Sequence, residues 1–320
     1  MKPFAFLRRA SATAVVAPSP VTTPFGQQLQ PLLHCLLSQP VSASESAFLC
    51  ATWFLHALHA STTTQTIALD SLKPIDFRHS DRAIVETYLE DNVTVLDACN
   101  QLSEKMQVIQ EYAKSLRVVS HLLQGPTPTT LARALGLLES SWEAMERRFR
   151  EIPDNKYNSR SSSSKMSRKK VAKQQDNSEY GEILNGSMAM ALMACVVLGT
   201  ALSFKSKRLP TNEYCSQSSI PTSWSLSLHE LHKQLKGRKL AGNNSSMMLC
   251  ELRQAVKVAQ DLQHHIKIRN KSGVEVAGEE LKKRCNGLEE QITALDEGVR
   301  ELYKRLVSVR MALLGFLSRA

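Results

Sequence analysis

Two pairs of histidines have a spacing that could bring both imidazoles to one face of a helix. His56 and His59 form the first pair, and His229 and His232 form the second. Imidazole nitrogens are common zinc ligands, but a zinc site needs further ligands, and neither pair has cysteines or carboxylates nearby at a recognised spacing. Histidines in such a pattern more often make hydrogen bonds or face solvent. We therefore predict no metal site and no cofactor.

The cysteines are the next residues that could carry chemistry. The seven of them are widely spaced, mostly among apolar positions, and they contain no CxxC pair. They are Cys35, Cys50, Cys99, Cys195, Cys215, Cys250 and Cys285. A disulfide framework favours an even number of cysteines, and a zinc or redox site favours close pairs. The pattern therefore indicates reduced, buried thiols in an intracellular protein.

Acidic residues cluster on one predicted helix, at Glu90, Asp91 and Asp97. Nothing in the pattern supplies the partner that would shift a carboxyl pKa for acid–base catalysis. The sequence also has no glycine-rich phosphate loop, no nucleophile elbow and no HExxH motif. We predict that the protein is not an enzyme and has no catalytic residues. The alternative is an all-helical enzyme whose site is assembled from distant residues.

Much of the formal net charge of +10 comes from two short basic runs. Their residues are Arg160, Lys165, Arg168, Lys169, Lys170 and Lys173 in the first run, and Lys205, Lys207 and Arg208 in the second. The first run has no interleaved aromatic residues that could stack on bases, and elsewhere acids and bases are interspersed. We predict no nucleic-acid binding. The first run is interpreted as a solvated linker, with a nuclear-localisation or phosphorylation segment as the alternative.

The elements that would position these residues are helices throughout. Apolar residues recur at alternating spacings of three and four, the pattern of amphipathic helices, and no strand pattern competes. Ser42 and Glu45 have capping-box spacing and predict the start of a second helix, with Phe48, Thr52 and Leu55 on its inner face. A third helix is predicted from about Ser80. Because the breaks between helices are short, we predict an all-α fold, a long antiparallel helical bundle with a central hydrophobic helix.

The last predicted helix has the most regular apolar pattern in the chain. Its apolar residues alternate spacings of four and three over five heptads: Leu281, Cys285, Leu288, Ile292, Leu295, Val299, Leu302, Leu306, Val309, Leu313 and Phe316. Such a seam can pack inside the same chain or bind another protein. Packing within the chain is favoured, because several other amphipathic helices are available. The candidate residues for partner binding are Leu288, Leu295, Leu302 and Leu306.

The segment Ile183 to Phe204 contains no charged side chain. A helix needs about 20 apolar residues to cross the hydrocarbon layer of a membrane, so its length is sufficient. Its strongly apolar residues give an insertion free energy on the order of −2 to −5 kcal/mol, which its Asn, Gly, Ser and Thr residues oppose. Small residues suit close packing both in membranes and in protein cores. The sequence leaves a spanning helix and a buried core helix as equal alternatives.

Composition divides the chain into five segments. Residues 1–24 are basic, free of acids and rich in Ser, Thr, Ala and Pro, which is typical of a disordered leader or a transit peptide. The other segments are a helical region at 25–152, a basic Ser-rich linker at 153–178, the central hydrophobic helix at 179–208 and a second helical region at 209–320. The linker has few apolar residues and is predicted to be disordered.

The stretch from Tyr88 to Asn100, with sequence YLEDNVTVLDACN, resembles the signature of the plant BYPASS family. In that family a YLD-type start leads to an LDxCN core on a long helix. The candidate signature residues are Tyr88, Leu89, Leu96, Asp97, Cys99 and Asn100. Segments 25–37, 53–59 and 183–208 and the terminal helix also resemble the family's plan. One departure is visible: Ile75 to Arg78 stands where the family usually carries tryptophan.

The resemblance implies a non-enzymatic regulator of plant development. Proteins of this family are associated with restraint of a root-derived mobile signal that affects shoot growth, and some relatives are linked to membranes, plastids or the secretory system. We therefore expect an intracellular, membrane-associated protein, with the plastid and the endoplasmic reticulum as candidate locations. Protein partners are expected, and residues 183–204 are the candidate membrane contact. The alternative is a soluble helical adaptor, for example in secretory trafficking, in which the hydrophobic helix is buried.

Overall fold

The computed structural model describes residues 23–38, 50–125, 127–152, 178–203, 222–241 and 248–319. The described residues form eight α-helices and no β-strand. The helices are α1 (Pro24–Ser38), α2 (Ala51–Leu72), α3 (Arg82–Leu122), α4 (Pro128–Glu151), α5 (Glu179–Ala201), α6 (Ser223–Ala241), α7 (Cys250–Lys267) and α8 (Lys271–Arg319). A 3₁₀-helix, His79–Asp81, leads directly into α3. The predicted all-α fold class is confirmed.

The two longest helices, α3 with 41 residues and α8 with 49, pack along each other. Asn92 of α3 lies beside Leu306 of α8, and Gln110 lies beside Thr293. Because the residue numbers rise along one helix as they fall along the other, this pair is antiparallel. The pair α3 and α5 runs parallel instead, since its contacts rise together from Cys99 with Cys195 to Leu102 with Gly199. The description of the whole molecule as an antiparallel bundle stays a prediction.

Helix α4 begins with a capping box made by residues of its own start. Thr127 has extended backbone, its hydroxyl accepts from the backbone N–H of Thr130 at 3.2 Å, and Pro128 opens the helix. Proline is well suited to this position, because the first backbone N–H groups of a helix have no partner inside it. The capping bonds at the start of α4 are therefore made by residues of its own first turn.

The predicted capping box at Ser42 and Glu45 lies outside the described residues, as does Phe48. In the described part, Cys50 has extended backbone and α2 begins after it at Ala51. The free N–H of Ala51 donates to Oε1 of Glu251, at the start of α7, at 3.0 Å. Sequence could not show this cap, because the two residues are 200 positions apart.

The inner face predicted for the second helix is displaced. Thr52 is exposed and Leu55 only half-buried, whereas Trp53, Phe54 and Leu58 are almost completely buried. The neighbouring helices contact α2 on the side carrying the two aromatic residues, so the larger side chains decide which face turns inward. In the Thr-rich part of α2, Ser61 and Gln65 make the polar contacts with α5.

Helices α7 and α8 are joined by a tight turn. Arg269 has a φ of 57°, the left-handed conformation that ends a helix, and the N–H of Asn270 returns to the carbonyl of His265 at 3.0 Å. The Asn270 side chain then accepts from the backbone N–H of Gly273 at 3.1 Å. The turn brings α7 back along α8, and α8 begins at Lys271, well before the first seam residue Leu281.

Candidate functional site on the third and fifth helices

The signature residues of α3 divide between the core and the surface. Tyr88, Leu89 and Cys99 are buried, and Leu96 is half-buried. The other two signature residues, Asp97 and Asn100, are exposed. The division follows helix geometry, since residues three and four apart share a face. The buried residues position α3 against α2, α5 and α8, while Asp97 and Asn100 face away from these helices.

Tyr88 belongs to a buried polar group between α2, α3 and α5. Its hydroxyl donates to Oε1 of Gln65 at 3.2 Å, and Nε2 of Gln65 donates to the carbonyl of Ser187 at 2.7 Å. One turn earlier on α2, the hydroxyl of Ser61 donates to the carbonyl of Met190 at 3.0 Å. All three side chains are almost completely buried, so these bonds form away from water. Polar groups buried without partners are costly, so this set favours one register of α5 against α2.

Burial raises the pKa of Tyr88 to about 12, although hydrogen bonds with Ser187 and Asn92 lower it. The phenol therefore stays protonated at physiological pH and acts as a hydrogen-bond donor. An acid–base role would need a pKa near the working pH. Tyr88 is a structural residue of the site.

A second set of bonds ties the signature turn of α3 to α8. Nδ2 of Asn92 donates to the carbonyl of Leu306 at 3.3 Å, and the Arg310 guanidinium donates to the carbonyl of Leu89 at 2.6 Å. The bond from Arg310 is charge-assisted and therefore among the stronger hydrogen bonds of the pair. Asn92 is completely buried, yet its Oδ1 has no hydrogen-bond partner among the described residues. These contacts fix α3 and α8 against each other at the signature.

Two buried thiols meet where α3 packs on α5. Sγ of Cys99 lies 3.9 Å from Sγ of Cys195, within hydrogen-bonding distance for sulfur. The hydrogen bond with Cys99, together with burial, raises the pKa of Cys195 well above its usual value. Raised thiol pKa values disfavour the reactive thiolate. The burial predicted for the cysteines is confirmed for this pair and for Cys285, whereas Cys35 is exposed and Cys50 and Cys250 are half-buried.

Helix α5 is the centre of this arrangement. It is the one helix among the described residues that is long and apolar enough to cross a membrane, and 83% of its most apolar stretch is buried inside the fold. Its glycine at 186 allows close approach, since a Cβ there would lie 2.6 Å from the ring of Phe25 in α1. Core helices of soluble proteins have the same length and composition, so α5 is weak evidence for a membrane span.

The acidic start of α5 is used in packing. Oε1 of Glu182 accepts from the hydroxyl of Thr23 at 2.6 Å and from the indole N–H of Trp224 at 3.2 Å. One carboxylate therefore joins the starts of α1, α5 and α6. A carboxylate in the first turn of a helix is also favoured by the helix dipole.

The segment that departs from the family pattern contacts the same end of α5. The ring of Phe77 packs edge-on against Tyr180, with ring centroids 5.8 Å apart, and the Tyr180 hydroxyl donates to the carbonyl of Ile75 at 3.2 Å. An aromatic side chain of this segment therefore packs at the start of α5.

The four leucines proposed for partner binding lie inside the fold. Leu288, Leu295, Leu302 and Leu306 are all 0% exposed, and their helix packs on α2, α3 and α7. This is the packing within the chain that the sequence favours. Binding of a partner at these leucines stays a prediction, and it would require α8 to separate from its neighbours.

A family model described as Protein BPS1 matches residues 54–315, from the start of α2 to near the end of α8. The chain belongs to the BPS1 family, which is the BYPASS family that the α3 signature resembles. No curated protein and no solved structure shows significant similarity to this chain. The BPS1 family is a regulatory family and is not a known enzyme family. Membership supports a plant developmental regulator of the BYPASS type.

The histidine pairs of this BPS1-family chain do not form a metal site in the part that the structure describes. His56, His59 and His229 are exposed, and His232 is half-buried. Within the described ranges no three or more His, Cys, Asp or Glu side chains are grouped so that they could hold a metal ion.

Several residues of the site could not be found by sequence motifs. Gln65, Glu182 and Arg310 belong to no motif, and Asn92 lies in the signature stretch without being one of its candidate residues. Each of the four acts through a partner on another helix. One signal was available for Gln65, since a large polar side chain on the buried face of a helix requires a hydrogen-bonding partner. Its partner, the Ser187 carbonyl, lies 122 residues away and needed the structure.

Proposed function

We propose that this BPS1-family chain is a non-enzymatic regulator of plant development that restrains a root-derived mobile signal affecting shoot growth. It acts by binding protein partners through its outer helical faces, with α5 packed in the core. Family membership supports the developmental role. The raised pKa values of Tyr88 and Cys195 disfavour these two buried groups as an acid–base residue and a nucleophile.

The observation that carries the mode of action is the burial of α5. The most apolar helix is enclosed by its neighbours, and the carbonyls of Ser187 and Met190 accept hydrogen bonds from side chains of α2. A helix held by such bonds would have to break them before it entered a bilayer, where unpaired polar groups are expensive. The surfaces left for action are therefore those turned away from α5.

A reciprocal graft tests the proposed role. Roots from plants lacking the protein are joined to normal shoots, and shoot growth is measured. We expect growth arrest, with recovery when the roots express the full chain. Normal growth above roots that lack the protein would contradict restraint of a root-derived signal.

Membrane association through α5 is the second candidate, favoured by the length and apolarity of that helix. In this second candidate the neighbouring helices separate from α5, and α5 enters the bilayer. Carbonate extraction separates the two candidates, because a spanning α5 stays with the membrane and an α5 packed in the core is released.

A further inference from the structure

An exposed apolar surface lies on the outward side of the α3–α8 pair. Most large apolar side chains of the described residues are buried, yet Val93 of α3 is 39% exposed, and Met311 and Leu314 of α8 are 63% and 40% exposed. Exposed apolar groups that form a contiguous patch are characteristic of interaction sites, whereas isolated ones are ordinary. Whether these three side chains form an interaction site therefore depends on whether they lie next to one another.

The bond from Asn92 to the carbonyl of Leu306 fixes these positions. It places the two turns side by side on antiparallel helices. Viewed from one end, antiparallel helices rotate in opposite senses, so one step forward along each turns the side chain to the same side of the pair. Val93 follows Asn92, and Val307 follows Leu306. Both therefore face outward along the line where α3 meets α8.

Helix periodicity extends this surface in both directions. Met311 and Leu314 lie four and seven residues beyond Val307 and continue its stripe. The half-buried Leu96 and Tyr303 pack against the core on the same two helices. We call the resulting surface the α3–α8 groove. Its residues are Val93, Leu96, Tyr303, Val307, Met311 and Leu314.

The charges beside the groove select its occupant. On the α3 side, Glu90, Asp97 and Glu104 are exposed and form no ion pair with any described residue. On the α8 side, the exposed Lys304 and Arg300 lie one and two turns before Val307, and each pairs with a carboxylate of its own helix, Glu301 and Asp296. Ser308 and Ser318, beside Met311, are uncharged. The groove is therefore apolar, and its unpaired carboxylates lie on the α3 edge. Such an edge attracts cationic side chains and repels the anionic surface of a cytoplasmic membrane leaflet.

We propose that the α3–α8 groove binds a cationic amphipathic helix of a protein partner. The apolar face of that helix packs between α3 and α8, and its lysines or arginines lie along the acidic edge. This is the helix-in-groove mode of recognition, in which apolar anchors at helical spacing give affinity and charges give specificity. The proposal rests on the proposed function, because it names the partner chemistry for a chain that acts by protein binding.

Anisotropy of a fluorescent peptide tests the groove. The probe is a synthetic amphipathic helix of leucine and lysine, titrated with the purified full chain at moderate salt. We expect binding, and we expect Met311→Glu with Leu314→Glu to weaken it about tenfold or more, since buried anchor residues dominate such interfaces. The matched control is Ile268→Glu with Val276→Glu, which changes exposed apolar residues outside the groove and leaves affinity unchanged.

Charge reversal tests the acidic edge separately. Glu90→Lys with Asp97→Lys should weaken binding of the leucine–lysine peptide and strengthen binding of a leucine–glutamate peptide. Circular dichroism melts that match the unchanged chain show that each variant is folded. Binding of the lysine peptide that none of these groove or edge substitutions alters would overturn the proposal.

Vesicles distinguish a lipid surface from a protein helix. The net charge of +10 attracts the full chain to phosphatidylcholine vesicles containing phosphatidylserine, so we expect any sedimentation to be the same for the unchanged chain and for Met311→Glu. Vesicle binding lost with Met311→Glu, without peptide binding, would assign the groove to a membrane and overturn the proposal. The graft outcome is independent of these assays, so failure of peptide binding with shoot arrest intact removes the groove proposal alone.

Discussion

At the scale of single residues, the signature of α3 combines packing and surface roles that its sequence does not separate. Its period predicts a helix and predicts that Tyr88 and Cys99 share one face. The sequence could not show that the tyrosine meets Gln65 or that the cysteine meets Cys195, because both contacts depend on how helices pack. The sequence indicates only that the Tyr88 hydroxyl, if buried, needs a hydrogen-bond partner. The structure identifies that partner as Gln65.

Replacing Tyr88 with phenylalanine tests the buried polar group. The change removes the donor to Gln65 and leaves a buried amide oxygen unpaired, so we expect the free energy of unfolding to fall by about 1–3 kcal/mol. Urea unfolding followed by circular dichroism measures it. Tyr303→Phe, at a half-buried position outside this group, is the control and should change stability little. Equal effects of the two substitutions would show that the Gln65 bond contributes nothing.

The two buried thiols should resist alkylation in the folded protein. The pKa of Cys195 is raised by its hydrogen bond with Cys99 and by burial, so the thiolate that attacks iodoacetamide is rare at pH 8. Peptide mass spectrometry after timed labelling compares it with the exposed Cys35. We expect Cys35 to be labelled first and Cys195 only after denaturant is added. Labelling of both at one rate would contradict the packing of α3 on α5.

At the scale of elements, α5 shows where sequence reasoning stops. Length and composition predict a helix there. They do not distinguish a membrane-spanning helix from a buried core helix, because both kinds of helix can have this length and this content of small and apolar residues. What separates them is the set of neighbours, namely the aromatic ring over Gly186 and the side-chain bonds from α2. The start of α2 is a similar case, because its cap comes from the distant Glu251.

Substitution of Gly186 with alanine tests the close approach of α1 to α5. A Cβ at this position would lie 2.6 Å from Cε1 of Phe25, which is itself buried, so the ring or the helix must shift. We expect a loss of about 1–3 kcal/mol in stability, the usual cost of overpacking. The matched control is Gly136→Ala in α4, where a Cβ meets nothing within 4 Å. There the better helix propensity of alanine should add about 0.5–1 kcal/mol. Thermal or urea unfolding measures both, and stabilisation by both substitutions would contradict the contact.

Carbonate extraction tests whether α5 stays in the core. A tagged full-length chain is expressed, membranes are washed with alkaline sodium carbonate, and both fractions are measured. Because α5 is enclosed and bonded to α2, we expect complete release into the soluble fraction. Retention in the membrane pellet would favour the second candidate. A variant with Ser61→Ala and Gln65→Ala, which removes the bonds holding α5, should move toward the pellet if an opened bundle can insert.

At the scale of the whole molecule, the long helices α3 and α8 determine the arrangement of the others. Periodicity predicts the all-α class and the seam of α8, because a repeated apolar spacing is local information. It does not determine whether the seam leucines face α3 or another protein, since both choices bury the same surface. The family match spans both helices and agrees with a single plan for this part of the chain. The exposed groove between them was not visible in the sequence, because Val93 and Met311 lie 218 residues apart.

The whole fold should lose stability as the solution becomes alkaline. Burial raises the pKa of Tyr88 to about 12 from 10.0, and it raises the pKa of Cys285 to about 12 from 9.0, although the charge of Arg117 lowers the latter. Burial and the nearby Cys285 also raise the pKa of Tyr112. The folded chain keeps these protons up to a higher pH than the unfolded chain does. The contribution of these groups to stability is therefore fully present below about pH 9 and is lost as the pH rises toward 12.

The size and origin of this loss can be measured together. Each pKa unit corresponds to about 1.4 kcal/mol, so Tyr88 alone accounts for up to about 3 kcal/mol by pH 12. Urea unfolding between pH 7 and 11 should give a constant free energy at first and a falling one above about pH 9. In Tyr88→Phe, which has no proton to lose at this position, the fall should be shallower even though the variant is less stable at neutral pH. If the free energy of unfolding falls equally steeply with pH in the variant and in the unchanged chain, Tyr88 ionises as readily in the folded chain as in the unfolded one. That result would contradict the burial of Tyr88 between α2, α3 and α5.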